Sequence, residues 1–212
     1  MNDKHTHERQ RATAREFPEQ ARVTVVLARH GRTALNADGK LRGLADVELD
    51  EFGHTQVTAL GKALAAEFGT FAQVISSPLT RARQTAAAIA DATHSPTLTD
   101  AAFNDRDYGQ WTGHPKADVI AQWGSVDAAP GVETRDDVLA RARPALEAMA
   151  DRAAELGGPI TVVSHDAVIR PLLTDMFELP DDALRVQTGS YQVLIRDGGD
   201  WELALVDQEP PV

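Results

Sequence analysis

The chain has 212 residues, enough for one sizeable core on a prior of roughly 150 residues per domain. It has no cysteine, which excludes disulfides, thiolate nucleophiles and Cys-ligated zinc and suits a reducing cytoplasm. A formal charge of −11 argues against a general nucleic-acid binder, and no apolar run approaches the roughly 20 residues of a membrane span or resembles a secretion signal.

Residues 1–22 are polar and charged and read as a flexible N-terminal extension, ahead of a single domain over 23–212. Val23 to Leu27 is a run of apolar β-formers and predicts a first strand. It drives into Arg29-His30-Gly31, at the kind of strand end where α/β proteins place their chemistry. Gly31 is expected to permit an unusual turn there. Arg32 to Asp50 reads as a long polar loop. From His54, the residues Val57, Leu60, Leu64 and Phe68 recur at helical spacing. Gln73 to Ser76 predicts a short strand, with Ser77-Pro78 as cap and first residue of a second helix. That helix buries Leu79, Ala82, Ala86 and Ile89 and puts Arg81 in its first turn. A cation there opposes the helix dipole, a local rule broken in the way functional sites break rules.

Thr97 to Asn104 reads as extended and Asp105 to Gly113 as a polar, aromatic, glycine-rich loop. A short helix is predicted from about Lys116 to Trp123, then a turn at Ala129-Pro130-Gly131. Thr134 predicts the N-cap of a long helix with a stripe of Leu139, Ala142, Leu146, Met149, Ala153 and Leu156, kinked or split at Pro144. Ile160 to Val163 is a second all-apolar strand, buried on both faces, and it ends in Ser164-His165-Asp166. A helix to about Phe177 follows. Two late strands, about 185–196 and 201–206, are joined by the hairpin signal Asp197-Gly198-Gly199-Asp200. The alternation predicts an α/β fold: a three-layer αβα sandwich with a mostly parallel central sheet and an antiparallel edge.

Two histidines thus end two strands, with Arg29 and Arg81 near strand or helix ends, and in a parallel sheet such positions converge. Arginine forks match phosphate oxygens, so the converged site reads as a phosphate pocket in an acidic protein. A neutral histidine is a competent nucleophile toward phosphorus, and a carboxylic acid can protonate the departing alkoxide. Ser164-His165-Asp166 is no serine triad, because adjacent strand residues face opposite ways. The arginines also argue against a metal bound by His30, His165 and Asp166, so neither a metal nor another cofactor is expected. His54, His94 and His114 read as surface or loop residues.

These residues resemble the histidine phosphatase superfamily, which includes the cofactor-dependent phosphoglycerate mutases. Arg29-His30-Gly31-x-Thr33-x-x-Asn36 is similar to its signature, and Gly43-x-x-Asp46-x-x-Leu49-x-x-x-Gly53 to the segment that follows. Ser76-Ser77-Pro78-Leu79-x-Arg81-Ala82-x-x-Thr85-Ala86 resembles its second arginine motif. Val163-Ser164-His165 with Ile169-Arg170 resembles its second histidine motif. The resemblance implies that His30 is a nucleophile that forms a phosphohistidine. It implies that Arg29, Arg81 and His165 hold the phosphoryl oxygens, with a further hydrogen bond from Asn36, and that water then releases phosphate.

The chain departs from the family in its acid. Asp105 stands where the mutases and small phosphatases usually carry glutamate. Asp166 stands where the phytase and acid-phosphatase branch keeps its proton donor. Asp105 is the expected acid and Asp166 the alternative. Arg106 and Lys116 resemble the mutase residues that grip the rest of the substrate. After Trp123, however, the chain has Gly124-Ser125 in place of a mutase arginine pair, while Trp111-x-Gly113 and Pro130-Gly131-x-Glu133 are closer to phosphatases. The reading is a cytoplasmic, metal-independent phosphomonoesterase for small phosphorylated metabolites, with no nucleic-acid or membrane partner. The alternatives are a phosphoglycerate mutase and a degenerate member that only binds a phosphorylated metabolite.

Overall fold

The computed structural model describes residues 22–212; the expected extension over 1–22 lies, except for Arg22, outside the described residues. Six strands form one sheet: β1 (Val23–Arg29), β2 (Gln73–Ser76), β3 (Thr97–Thr99), β4 (Ile160–Ser164), β5 (Tyr191–Asp197) and β6 (Asp200–Gln208), in the order β3-β2-β4-β1-β5-β6. The first four are parallel, and β5 and β6 continue the sheet as antiparallel strands. The helices are α1 (Ala34–Ala37), α2 (Glu51–Phe68), α3 (Thr80–Thr93), α4 (Lys116–Trp123), α5 (Arg135–Leu156) and α6 (Asp166–Met176).

Strand alternation divides the core in two. Val25, Leu27, Ile160 and Val162 pack with α5 and α6 on one face. Val26, Ala28, Val74 and Val163 pack with α2 and α3 on the other. This is the expected three-layer αβα sandwich.

Several boundaries differ from the sequence reading for identifiable reasons. α2 starts at Glu51 rather than His54, because Asp50 caps it by accepting from the Gly53 N–H at 2.7 Å. α3 starts at Thr80 rather than Pro78. Its cap comes from a distant loop, where Asp46 Oδ1 accepts the Thr80 N–H at 2.6 Å, and Ser77 is free for another partner. Pro144 does not split α5, which runs unbroken because residues on both sides of it anchor in the core. Its buried stripe is Val138, Ala142, Leu146, Ala150 and Ala153; Leu139 and Met149 are only partly buried and Leu156 is exposed. Only 97–99 of the predicted extended segment is strand, and a 3₁₀ turn follows at Ala101–Phe103. β5 begins at Tyr191, not near Arg185. The Arg185 and Val186 N–H groups donate to the Asp207 carboxylate instead of to a ladder.

Candidate active site

β1 and β4 are parallel neighbours with Arg29 opposite Ser164. The next residues, His30 and His165, therefore leave the sheet side by side, with ring centroids 5.0 Å apart. Both are fully buried. Nδ1 of His30 lies 2.7 Å from the Gly31 carbonyl. A carbonyl only accepts, so Nδ1 carries the ring proton and Nε2 keeps its lone pair. Burial, then His165, Arg81, Arg29 and Arg42, holds the His30 pKa well below 6.5, so that lone pair persists into mildly acidic solution. Nε2 of His165 pairs with Ser77 Oγ at 2.8 Å, which is where the misassigned cap residue went. Its Nδ1 faces Asp105 Oδ2 at 3.7 Å. Burial, then Arg81, Arg42 and Arg29, lowers the His165 pKa as well. Ser164 turns away and donates to the Phe103 carbonyl at 2.9 Å, so it does not form a triad with His165.

Gly31 is needed for a different reason from the one expected. It does not have a positive φ. Instead, a Cβ there would lie 2.7 Å from Val57 Cγ1 and 2.8 Å from the Gly53 carbonyl, and a Cβ on Gly53 would lie 2.1 Å from the Arg32 carbonyl. The two glycines let the first turn of α2 press directly on the turn after His30.

Arg81 is fully buried and its cost is offset by three acceptors. It donates to Asp105 Oδ2 at 2.9 Å and to the Gly43 and Ala45 carbonyls at 2.8 Å each. Arg29 donates to the Val186 carbonyl at 2.6 Å, and burial lowers its pKa to about 10. Arg42, which the sequence reading overlooked beside Gly43, adds a third guanidinium whose charge reaches both histidines. Eight buried side-chain N or O atoms lack a partner among the described residues. Five of them are Nε of Arg29, Arg42 and Arg81, Nε2 of His30 and Nδ1 of His165. Buried polar groups are normally paired, so the three unpartnered guanidinium Nε donors mark a place built for an anion, with the lone pair of His30 Nε2 beside them.

The two candidate acids are placed differently. Asp105 is fully buried between Arg81 and His165. Asp166 opens α6, pairs with Arg170 at 2.8 Å and faces an outer cavity of about 520 Å³. Asn36, Arg106 and Lys116 also line that cavity, as do Gly124 and Ser125. Asn36 Oδ1 already accepts from the Thr33 N–H and Oγ1 in a capping box. Arg106 donates to the Glu133 carbonyl at 2.6 Å and forms an ion pair with Asp127. The structure thus brings His30, His165, Arg29, Arg81 and Asp105 together and puts Asn36, Arg106, Lys116 and Asp166 on the wall above. His54, His94 and His114 are exposed. Among the described residues, no group of three or more His, Cys, Asp or Glu is placed to hold a metal ion, and no helix is long and apolar enough to cross a membrane.

The histidine phosphatase superfamily (branch 1) matches residues 25–209. A 2,3-bisphosphoglycerate-dependent phosphoglycerate mutase of Mesorhizobium japonicum is 34% identical over 163 residues, which cover 71% of this chain and 79% of that protein. A glucosyl-3-phosphoglycerate phosphatase of Mycobacterium tuberculosis is 30% identical over 171 residues, covering 74% and 76%. Among solved structures, a mycobacterial glucosyl-3-phosphoglycerate phosphatase in complex with VO3 is similar at TM-score 0.75 and 28% identity, over 88% of this chain and 99% of that one. A phosphoglycerate mutase from Bacillus anthracis shares the fold at TM-score 0.82 and 22% identity, over 90% and 95%.

Proposed function

The chain belongs to the histidine phosphatase superfamily, and from that premise we propose that it is a phosphomonoesterase acting on small phosphorylated metabolites through His30. The observation that carries this reading is the tautomer of His30: Nδ1 is tied to the Gly31 carbonyl and Nε2 is left unpartnered and unprotonated at neutral pH. Nε2 attacks phosphorus, the bond to the ester oxygen breaks, and Asp105, which takes up a proton as the anionic ester binds beside Arg81, passes it to that oxygen. Arg29, Arg81 and Arg42, with His165 beside them, face the charge that gathers on the phosphoryl oxygens. Water then attacks the phosphohistidine, passes a proton to Asp105, and phosphate leaves with His30 restored. Because His30 has no exposed surface, the side chains above it must part to admit the ester. These cations do electrostatically what a metal ion does in other phosphatases, and the reaction needs none.

Phosphatase is favoured over mutase by the wall of the outer cavity. Gly124 and Ser125 supply no charge there, and of the cations on that wall Arg106, Arg135 and Arg170 are already tethered to Asp127, Asp181 and Asp166. A mutase has to retain a bisphosphorylated intermediate while it reorients, which calls for more free cations. The test is turnover of p-nitrophenyl phosphate and a panel of phosphorylated metabolites with EDTA present, beside His30→Ala. Phosphate release that persists in EDTA and disappears in the variant is expected. Undiminished turnover in the variant would refute the mechanism, and conversion of 3-phosphoglycerate to its 2-isomer without phosphate release would make the enzyme a mutase. On alkyl phosphates Asp105→Ala should lose roughly a hundredfold or more in kcat/KM, as expected for a general acid. Asp166→Ala should lose much less, and the reverse order would move the acid to Asp166.

A further inference from the structure

Asp105 is one methylene shorter than a glutamate, so its backbone has to supply the reach that its side chain lacks. One charged pair outside the site holds that backbone. Arg141, on α5, donates through Nη1 to the Ala102 carbonyl at 2.7 Å and the Asn104 carbonyl at 2.8 Å, and through Nη2 to the Asp105 carbonyl at 3.3 Å. Its Nε and Nη2 also hold Glu133, at 2.8 and 3.1 Å. Glu133 Oε2 accepts the Asp107 N–H at 3.0 Å, its own N–H donates to the Asp107 carbonyl at 2.8 Å, and its carbonyl takes the Arg106 side chain. The pair thus grips residues 102, 104, 105, 106 and 107.

We propose that Arg141, braced by Glu133, is a positioning residue that sets where Asp105 delivers its proton. Arg81 fixes the Asp105 carboxylate from the front, and Arg141 fixes its backbone from behind. The inference rests on the reading of Asp105 as the acid. Neither Arg141 nor Glu133 is among the five unpartnered groups at the centre of the site, and their own bonds are satisfied within the clamp.

The test uses the full chain and two esters: p-nitrophenyl phosphate, whose phenolate leaves without a proton, and glycerol phosphate, whose alkoxide needs one. kcat/KM reports the first chemical step for both. Asp105→Asn should lower kcat/KM about a hundredfold or more on the alkyl ester and far less on the aryl ester. Arg141→Lys should reproduce that split in weaker form, about tenfold on the alkyl ester and within about twofold on the aryl ester, since a misplacement of a full ångström can cost about a hundredfold and a partial one less. In the Asp105→Asn background it should add nothing. Equal losses on both esters, or a further alkyl-specific loss in that background, would overturn the inference. If Arg141→Lys does not fold, Glu133→Gln carries the same test, and absence of the split there also overturns it. Absence of the split in Asp105→Asn itself would instead remove Asp105 as the acid, and the inference with it.

Discussion

Acidification should unfold this protein through the two histidines that face the reaction centre. His30 and His165 are buried and their pKa values lie well below 6.5. Below pH 6.5 the unfolded chain binds a proton on each ring and the folded chain does not, so the stability these rings confer is complete above pH 6.5 and declines as pH falls below it. Each ring contributes about 1.4 kcal/mol per pH unit. That rate holds only until the folded rings begin to titrate, so by pH 5 the loss is at most about 2 kcal/mol per ring and about 4 for the pair, against the 5–15 kcal/mol by which domains are usually stable. The exposed Asp46 and the half-buried Glu133 have lowered pKa values, falling from ordinary values of 3.8 and 4.5, and so act below this window. Urea unfolding at pH 7 and pH 5 measures the effect in the wild type, His30→Gln, His165→Gln and the double variant. The wild type should lose up to about 4 kcal/mol between the two pH values, each single variant less than the wild type, and the double variant little. A double variant as acid-sensitive as the wild type would refute the reasoning.

Two further expectations concern the frame of the site. Arg81→Met leaves the fully buried Asp105 carboxylate without its guanidinium and the Gly43 and Ala45 carbonyls without their donor. Breaking such a pair costs about 3–5 kcal/mol, or a melting temperature lower by about 10–15 °C at this chain length, whereas Arg81→Met/Asp105→Leu should melt closer to the wild type; calorimetry showing the single variant within a degree or two of wild type would contradict the pairing. Gly31→Ala should destabilise by about 1–3 kcal/mol through overpacking against α2, and adding Val57→Ala should restore only part of it, because the Gly53 carbonyl still collides. Full recovery on trimming Val57, read from unfolding midpoints, would show that the backbone contact is not the limiting one.

The parts of the fold that were legible in the sequence are those encoded by near neighbours. Val23 to Leu27 and Ile160 to Val163 declared themselves as buried strands by apolar runs, and the histidine that follows each was therefore placed correctly. Arg81 stood out because it breaks a helix rule, and its answer lies in three acceptors from residues 43–45 and 105. What was missed depends on distant partners. Ser77-Pro78 has the local grammar of a helix start, but Asp46 caps the helix from thirty-four positions away, and Ser77 serves His165 instead. Gly31 reads as a glycine that permits an unusual turn, whereas the contact that requires it, with Gly53, appears only once α2 is packed. Arg141 sits beside the apolar stripe of α5 and looks like any exposed helix arginine until residues 102–107 fold against it.

The spacing of His30 and His165 is set first by the two strands that carry them. Adjacent strands in any sheet lie about 4.8 Å apart, and the two rings, carried one residue past the Arg29–Ser164 register pair, sit 5.0 Å apart. The hydrogen-bond ladder thus acts as a gauge for the transferred group. Stretches that carry neither Arg42, Asp105 nor the acceptors of Arg81, such as residues 112–130, can vary without moving the two rings. A single residue inserted in β1 or β4 is another matter: it would slip the gauge by one notch, turn every side chain of that strand to the opposite face, and leave one histidine facing nothing.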